Sequence, residues 1–293
     1  MGGESAVEMV VGFGKQAIPY LERFLLDRPP RTVFIPRCRA VRALGELGAY
    51  PVLIRYFEQY QCPADSAVLF AEDAVRSAAA RELTQIHSDE MYRVLLEAAH
   101  QRATSGLVQA LGAFGRSESI PLLFELLEDD MCRADAIHAL RGVPNEAQPF
   151  AVLLLRGCTE IPIQGSFAVR RRRSALQLLS EFGVCQGDWP EIREYLQDED
   201  IDCMMAAAHI GFSVAPDSEA EAIATKLIEA SARMNWAQEM DVVELLDQHR
   251  PVTEPVARTL AERRKSKGEK PNWLSPFWRI LHHVLGERLG QEP

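Results

Sequence analysis

Chemistry in this chain would have to come from a small set of side chains. The sequence holds seven histidines: His87, His100, His138, His209, His249, His282 and His283. Asp135 and His138 are three residues apart, so on a helix they share a face and could touch one cation. A helix-borne metal centre needs three or four such ligands, and no His-Glu dipeptide occurs. The plain reading is that His138 and His209 fill or edge helices. Trp236, Asp241 and Glu244 form another local group, an aromatic ring with two carboxylates at helical spacing. Such a group could line a pocket for an extruded base; it is equally an aromatic core residue beside an acidic helix face. The chain has no phosphate-binding GxxxxGK loop, no GxSxG elbow, no HExxH pair and no dinucleotide fingerprint. GFGKQA at Gly12–Ala17 has too few matching positions to cradle a phosphate. No serine, cysteine or lysine is paired with an activating group by the sequence alone. Catalytic residues, cofactors and metals are therefore expected to be none, and a non-enzymatic role is the preferred reading.

Charge offers more. Arg170, Arg171, Arg172 and Arg173 run consecutively, and at 3.6 residues per turn they spread over more than one helix face. Arg37, Arg39, Arg42, Arg102 and Arg133 fall at or near the starts of other helices. Together these nine could form one edge for an acidic protein, a phosphate, RNA or DNA. The chain as a whole opposes wholesale coating of nucleic acid. It has 32 basic against 42 acidic residues, a formal charge of -10. An arginine at a helix start can also pair with a neighbouring helix or bond to connecting-loop carbonyls. Acidic clusters, Glu125 to Asp130 and Glu194 to Asp202, precede turns, where carboxylates favour the N-terminus of the next helix.

The elements that would position these groups are repeats. RCRAVRALGELG at Arg37–Gly48 returns as GLVQALGAFG at Gly106–Gly115. Weaker copies are CRADAIHALRGV at Cys132–Val143 and RRRSALQLLSEFG at Arg171–Gly183. Ala40, Val41, Leu44 and Leu47 recur at three- and four-residue spacing, which predicts an amphipathic helix. Small alanines and Gly45 allow close helix approach, and Gly48 suits a sharp exit. Pro51 and Pro121 can each open a partner helix. Helix pairs are expected from Ala6 to Glu262, about seven in all, spaced as two-helix repeats are. Arg156–Val169 reads as a long connection containing Gly157, Pro162 and Gly165. Glu160, Gln164 and Phe167 are its candidate contact residues. RRKSKGEK at Arg263–Lys270 reads as a basic linker. Trp273, Phe277, Trp278 and Ile280–Leu285 would dock back as a terminal cap, which an array of repeats requires. The expected division is a repeat solenoid over 1–262 and a linker with capping helix over 263–293.

Six scattered cysteines without CxxC spacing, Cys38, Cys62, Cys132, Cys158, Cys185 and Cys203, predict reduced thiols rather than a disulfide framework. No apolar run reaches membrane-spanning length, and no basic-then-apolar leader opens the chain. Ala6 stands where a myristoylation signal wants Ser or Thr. The expectation is a cytoplasmic protein.

The repeats resemble HEAT repeats, and more closely the bacterial HEAT-like repeats of the phycobilin-lyase type. The residues that carry this are Arg39, Ala40, Ala43, Leu44 and Gly48; Ala110, Leu111, Gly112 and Gly115 with Pro121–Leu127; and Ala175, Leu178, Leu179 and Gly183. Ala139, Leu140 and Gly142 fit less well. The resemblance spans about residues 6–230. It implies an all-α, right-handed α–α superhelix of the armadillo type. It says little about activity, since such families include scaffolds, assembly factors, chromophore lyases, a di-iron hydroxylase and DNA-repair glycosylases. A protein partner bound on an extended surface is the function expected, with unknown oligomeric state. An arginine-edged nucleic-acid binder and a HEAT-like lyase or other small-molecule enzyme are the alternatives.

Overall fold

First-turn prolines and short polar caps punctuate the chain into helices. Pro19, Pro36, Pro51, Pro121, Pro190 and Pro276 each sit in the first turn of a helix, where a missing N–H costs nothing. Asp65, Ser88, Thr104, Asp200 and Asn235 accept hydrogen bonds from first-turn amides, satisfying donors that have no partner within the helix. The computed structural model describes residues 4–160, 166–272 and 274–286, which are all-α with short 3₁₀ turns.

The chain divides into two compact units, residues 1–147 and 148–293. The first carries α1 (Glu4–Gly12), α2 (Ile18–Leu26), α3 (Ile35–Glu46), α4 (Tyr50–Glu58), α5 (Ser66–Leu83), α6 (Asp89–Gln101), α7 (Ser105–Phe114), α8 (Ile120–Glu125) and α9 (Arg133–Arg141). The division falls within α10 (Pro144–Glu160). The second unit continues with α11 (Ser166–Phe182), α12 (Trp189–Arg193), α13 (Ile201–Val214), α14 (Asp217–Glu229), α15 (Trp236–Gln248), α16 (Arg250–Ser266) and α17 (Pro276–Leu285).

In the first unit α3, α5, α7 and α9 stack side by side, and α4 packs on α6 behind them. This is the two-layer arrangement of a helical-repeat array of the HEAT-like kind. Leu25, Val41, Leu44, Leu53, Val75, Leu83, Leu95, Leu107 and Leu111 fill the space between the layers. The alanine–glycine pattern sets how closely neighbours approach. A Cβ at Gly106 would lie 2.5 Å from the Ser77 backbone, and one at Gly112 would lie 2.8 Å from the Ala139 methyl. Gly48 and Gly115 end their helices with φ of 69° and 61°, a left-handed conformation that an L side chain resists.

In the second unit α13 packs between α11 and α15, and α14 packs on α16. Trp189, Ile192, Met204, Ile223, Leu227, Val242 and Leu246 are buried there. The amphipathic α17 lays Phe277, Trp278, Ile280, Leu281 and Val284 against α14, α15 and α16.

Two expected connections are shorter than the sequence suggested. Residues 156–160 close α10 and residues 166–169 open α11, so most of the Arg156–Val169 stretch is helical. Pro149 lies inside α10 without ending it. Helix α16 runs on to Ser266, so the first half of the basic RRKSKGEK segment is helix as well. Basic side chains in a last turn face the partial negative charge of the carbonyl end, so Arg263, Arg264 and Lys265 fit there.

Candidate functional site

The arginines are the natural starting point, and the structure spends most of them internally. Arg102 reaches Asp73 on α5 with two bonds, Nε to Oδ1 at 2.8 Å and Nη2 to Oδ2 at 2.7 Å. Arg172 grips Asp198 in the same way, and Arg173 grips Asp200 while also touching Asp202 at 3.1 Å. Arg133 binds backbone, donating from Nε to the Leu127 carbonyl at 2.7 Å, and pairs with Asp130. Arg42 is exposed and pairs with Glu46 one turn on. Arg39 is exposed, and Arg170 and Arg171 are half-buried. Arg102, Arg133, Arg172 and Arg173 thus serve as inter-helix ties and loop anchors, the second use foreseen for a helix-start arginine.

Arg37 departs furthest from expectation. Its place among outward residues of α3 is overturned by its burial at 6% exposure. The cause is Glu72 on α5, which draws the guanidinium inward to an Nη2–Oε1 contact of 3.0 Å, while Nη1 donates to the Arg28 carbonyl at 3.2 Å. Glu160 is the last residue of α10 and Phe167 lies in the first turn of α11, and Gln164 lies outside the described residues.

Sequence reasoning passed over the polar residues of α5. Its stretch Glu72–Ser77, EDAVRS, puts four polar groups into the interface with its neighbours. Glu72 meets Arg37 of α3 and accepts from the Tyr56 hydroxyl of α4 at 2.6 Å. Asp73 holds Arg102. Ser77 accepts from the Gly106 amide at 3.3 Å and donates to the Thr104 hydroxyl at 3.0 Å. Arg76 is fully buried; its Nη2 donates to the Ala98 carbonyl at 2.7 Å and to that of Arg102 at 3.2 Å, at the carbonyl end of α6. Its guanidinium lies 3.7 Å from the centre of the Tyr60 ring and 5.5 Å from that of Phe57, so two aromatic faces stand in for water. Burial pushes the Arg76 guanidinium below its ordinary value and Tyr56 well above its own, with the Glu72 carboxylate adding to the latter. Tyr60 is pushed up to about 12, burial being the first cause. The signal was present in the sequence. Glu72 and Arg76 are four apart and in phase with Val75, Ala79 and Leu83, so they lie on the buried stripe.

Glu72, Arg37, Tyr56 and Tyr60 line an open cleft of about 590 Å³ together with Leu25–Pro30, at the end of α2 and just beyond it. That volume is in the range of small-molecule sites.

A second concavity, of about 420 Å³, lies in the other unit across α11, α13 and α15. Met205, Ala206 and Leu245 are apolar parts of its lining, with Asp202, Asp241, Glu244, His209 and Arg173 around them. Trp236 and Met240 stand on α15 at 74% and 42% exposure. The alternative of a core tryptophan is thus excluded for Trp236. Asp241 and Glu244 are exposed on the same helix.

The five cysteines whose side chains are described do not share one environment, and Cys158 lies outside them. Cys132 and Cys203 are buried with raised thiol values, burial being the main cause, and the Cys132 value is about 11. Cys62 and Cys185 are exposed free thiols. Among the described residues no group of three or more His, Cys, Asp and Glu is gathered as metal ligands would be, and Asp135 instead accepts from Gln109 at 2.8 Å.

Residues 66–141 match the HEAT repeats family. The HEAT region opens where α5 opens and closes where α9 closes, so it contains the polar stretch 72–77. No curated protein matches the chain. No helix among the described residues is long and apolar enough to cross a membrane.

Proposed function

We infer that the chain is a non-enzymatic scaffold or adaptor of the cytoplasm that binds a protein partner on a helix face. The observation that carries this reading is the α15 face. Trp236 and Met240 are large, apolar and exposed on α15, and Asp241 and Glu244, exposed on the same helix, line a groove. Exposed aromatic and methionine side chains are the usual anchors of protein interfaces. The flanking carboxylates favour a partner whose contacting segment is basic. The arginine edge supports the nucleic-acid alternative less well, because Arg102, Arg133, Arg172 and Arg173 already hold carboxylates. Arginines committed to internal pairs are poorly placed to neutralise phosphates. The finer resemblance to phycobilin-lyase-type repeats rests on the alanine–leucine–glycine pattern alone.

The test is affinity capture with the wild type and with an Asp241→Lys, Glu244→Lys variant of equal thermal stability. Recovery of one protein by the wild type and its loss from the variant supports the reading. Equal recovery by both, or retention of nucleic acid that falls steeply with salt, would overturn it.

A further inference from the structure

The basic stretch RRKSKGEK at Arg263–Lys270 sets one serine among five cations and one carboxylate, and the scaffold reading leaves it unused. Ser266 is the last residue of α16 and is exposed. Its hydroxyl donates to the Arg263 carbonyl at 2.8 Å, a bond within its own turn. Arg263, Lys265 and Lys267 are exposed as well, and among the described residues none of the three is paired with a carboxylate. Arg264 is the exception, held by Glu269 at 2.9 Å. Gly268, with φ of 82°, ends the helix two residues beyond the serine.

The same order of residues occurs at 171–174, with a different outcome. Arg171, Arg172 and Arg173 precede Ser174, but Ser174 is only 3% exposed. Arg172 and Arg173 there hold Asp198 and Asp200. A place inside α11 hides that serine and spends its arginines, whereas a place at the end of α16 presents Ser266 with its cations unpaired.

A serine so placed suits phosphoryl transfer. A kinase binds the segment around the acceptor in its own groove, and the charge of the segment selects the groove. Arg263, Arg264 and Lys265 before the serine and Lys267 after it require an acidic one. The last turn of a helix opens at small cost, which lets the segment enter. A phosphate at the carbonyl end of α16 meets partial negative charge. Arg263, Lys265 and Lys267 offset this, because cations pair strongly with phosphate oxygens.

We propose that Ser266 is a phosphorylation site for a serine/threonine kinase with an acidic substrate groove. The γ-phosphoryl group of ATP passes to Ser266 Oγ. The bond from Pγ to the ADP oxygen breaks, the Oγ–Pγ bond forms, and the hydroxyl proton passes to a base of the kinase. The site lies outside α15 and is independent of the scaffold reading.

The native full chain is incubated with magnesium ATP and the catalytic subunit of cyclic-AMP-dependent protein kinase, an enzyme directed to arginine-rich segments. Products are read by intact mass and peptide mapping. The expected result is one phosphoryl group per chain, at Ser266, and none on a Ser266→Ala variant. An Arg263→Glu, Lys265→Glu variant of unchanged melting temperature should react at least about tenfold more slowly. No incorporation into the native chain would overturn the proposal, as would incorporation that persists in Ser266→Ala or that the charge reversal leaves unchanged. If only a heat-unfolded sample is labelled, the fold masks Ser266 and the proposal falls.

Discussion

Arg37 and Glu72 form a buried pair joined by one hydrogen bond of 3.0 Å, with side chains only 7% and 4% exposed. A pair so placed is a liability if broken. Truncating one partner leaves the other charged and dry, which costs about 3–5 kcal/mol. Glu72→Ala and Arg37→Ala should each destabilise the chain by that order in urea unfolding. Joint replacement by Arg37→Met and Glu72→Leu should cost far less than the sum, since apolar replacement of buried pairs is often neutral. Additive losses would mean that the two side chains act independently.

The glycines of the repeat should differ sharply in tolerance. At Gly106 a Cβ would press on the Ser77 backbone, which cannot yield without moving α5 against α7. At Gly45 the obstacle is the Glu82 side-chain end, which can swing away. Gly106→Ala should cost about 1–3 kcal/mol by overpacking. Gly45→Ala should cost much less, because alanine is the better helix former. Equal melting temperatures for the two variants would contradict this account of the close approach.

Glu82 should weaken the fold at neutral pH. Burial first, and the Glu46 carboxylate second, hold its pKa above the usual carboxylate value. A carboxyl whose folded value is raised binds its proton more tightly when folded, so stability falls as pH rises through that range. Glu82→Gln should therefore raise Tm by about 1–3 °C at pH 7 and leave it nearly unchanged at pH 4. Melting curves at the two pH values read the difference directly.

Asp200 has the opposite sign. Burial raises its pKa, but the Arg173 bond and the Cys203 amide outweigh burial and leave it below the usual value. A depressed carboxyl adds stability above its unfolded pKa, and this is lost as pH falls through the folded value. Asp200→Ala should cost about 1–2 kcal/mol near neutrality as a lost helix cap and pair. Its deficit should shrink in strong acid. A deficit independent of pH would assign the loss to packing.

Architecture was the legible part of the sequence. The Ala40, Val41, Leu44 stripe, the Gly48 exit and the Pro51 start all act locally, so spacing alone exposes them, and α3 and α4 lie within two or three residues of expectation. The polar interface was harder. Arg37 shares a segment with the exposed Arg39 and Arg42, and only Glu72, thirty-five positions later, decides that it turns inward. Arg172 and Arg173 likewise depend on Asp198 and Asp200 across a helix turn-and-return. Pairing over such separations is set by stacking of repeats, which periodicity predicts only in outline. The 156–169 stretch misled because glycine and proline argue for breaks, whereas packing tolerates Pro149 inside α10 and lets both flanking helices extend.

The most direct test of the scaffold account is the dissociation constant between the purified chain and the protein it captures. Wild type is measured beside the Asp241→Lys, Glu244→Lys variant and a Trp236→Ala variant. The account predicts tight binding to the wild type, weakened by at least about tenfold in each variant, with melting temperatures unchanged. Equal affinities across all three proteins would contradict it.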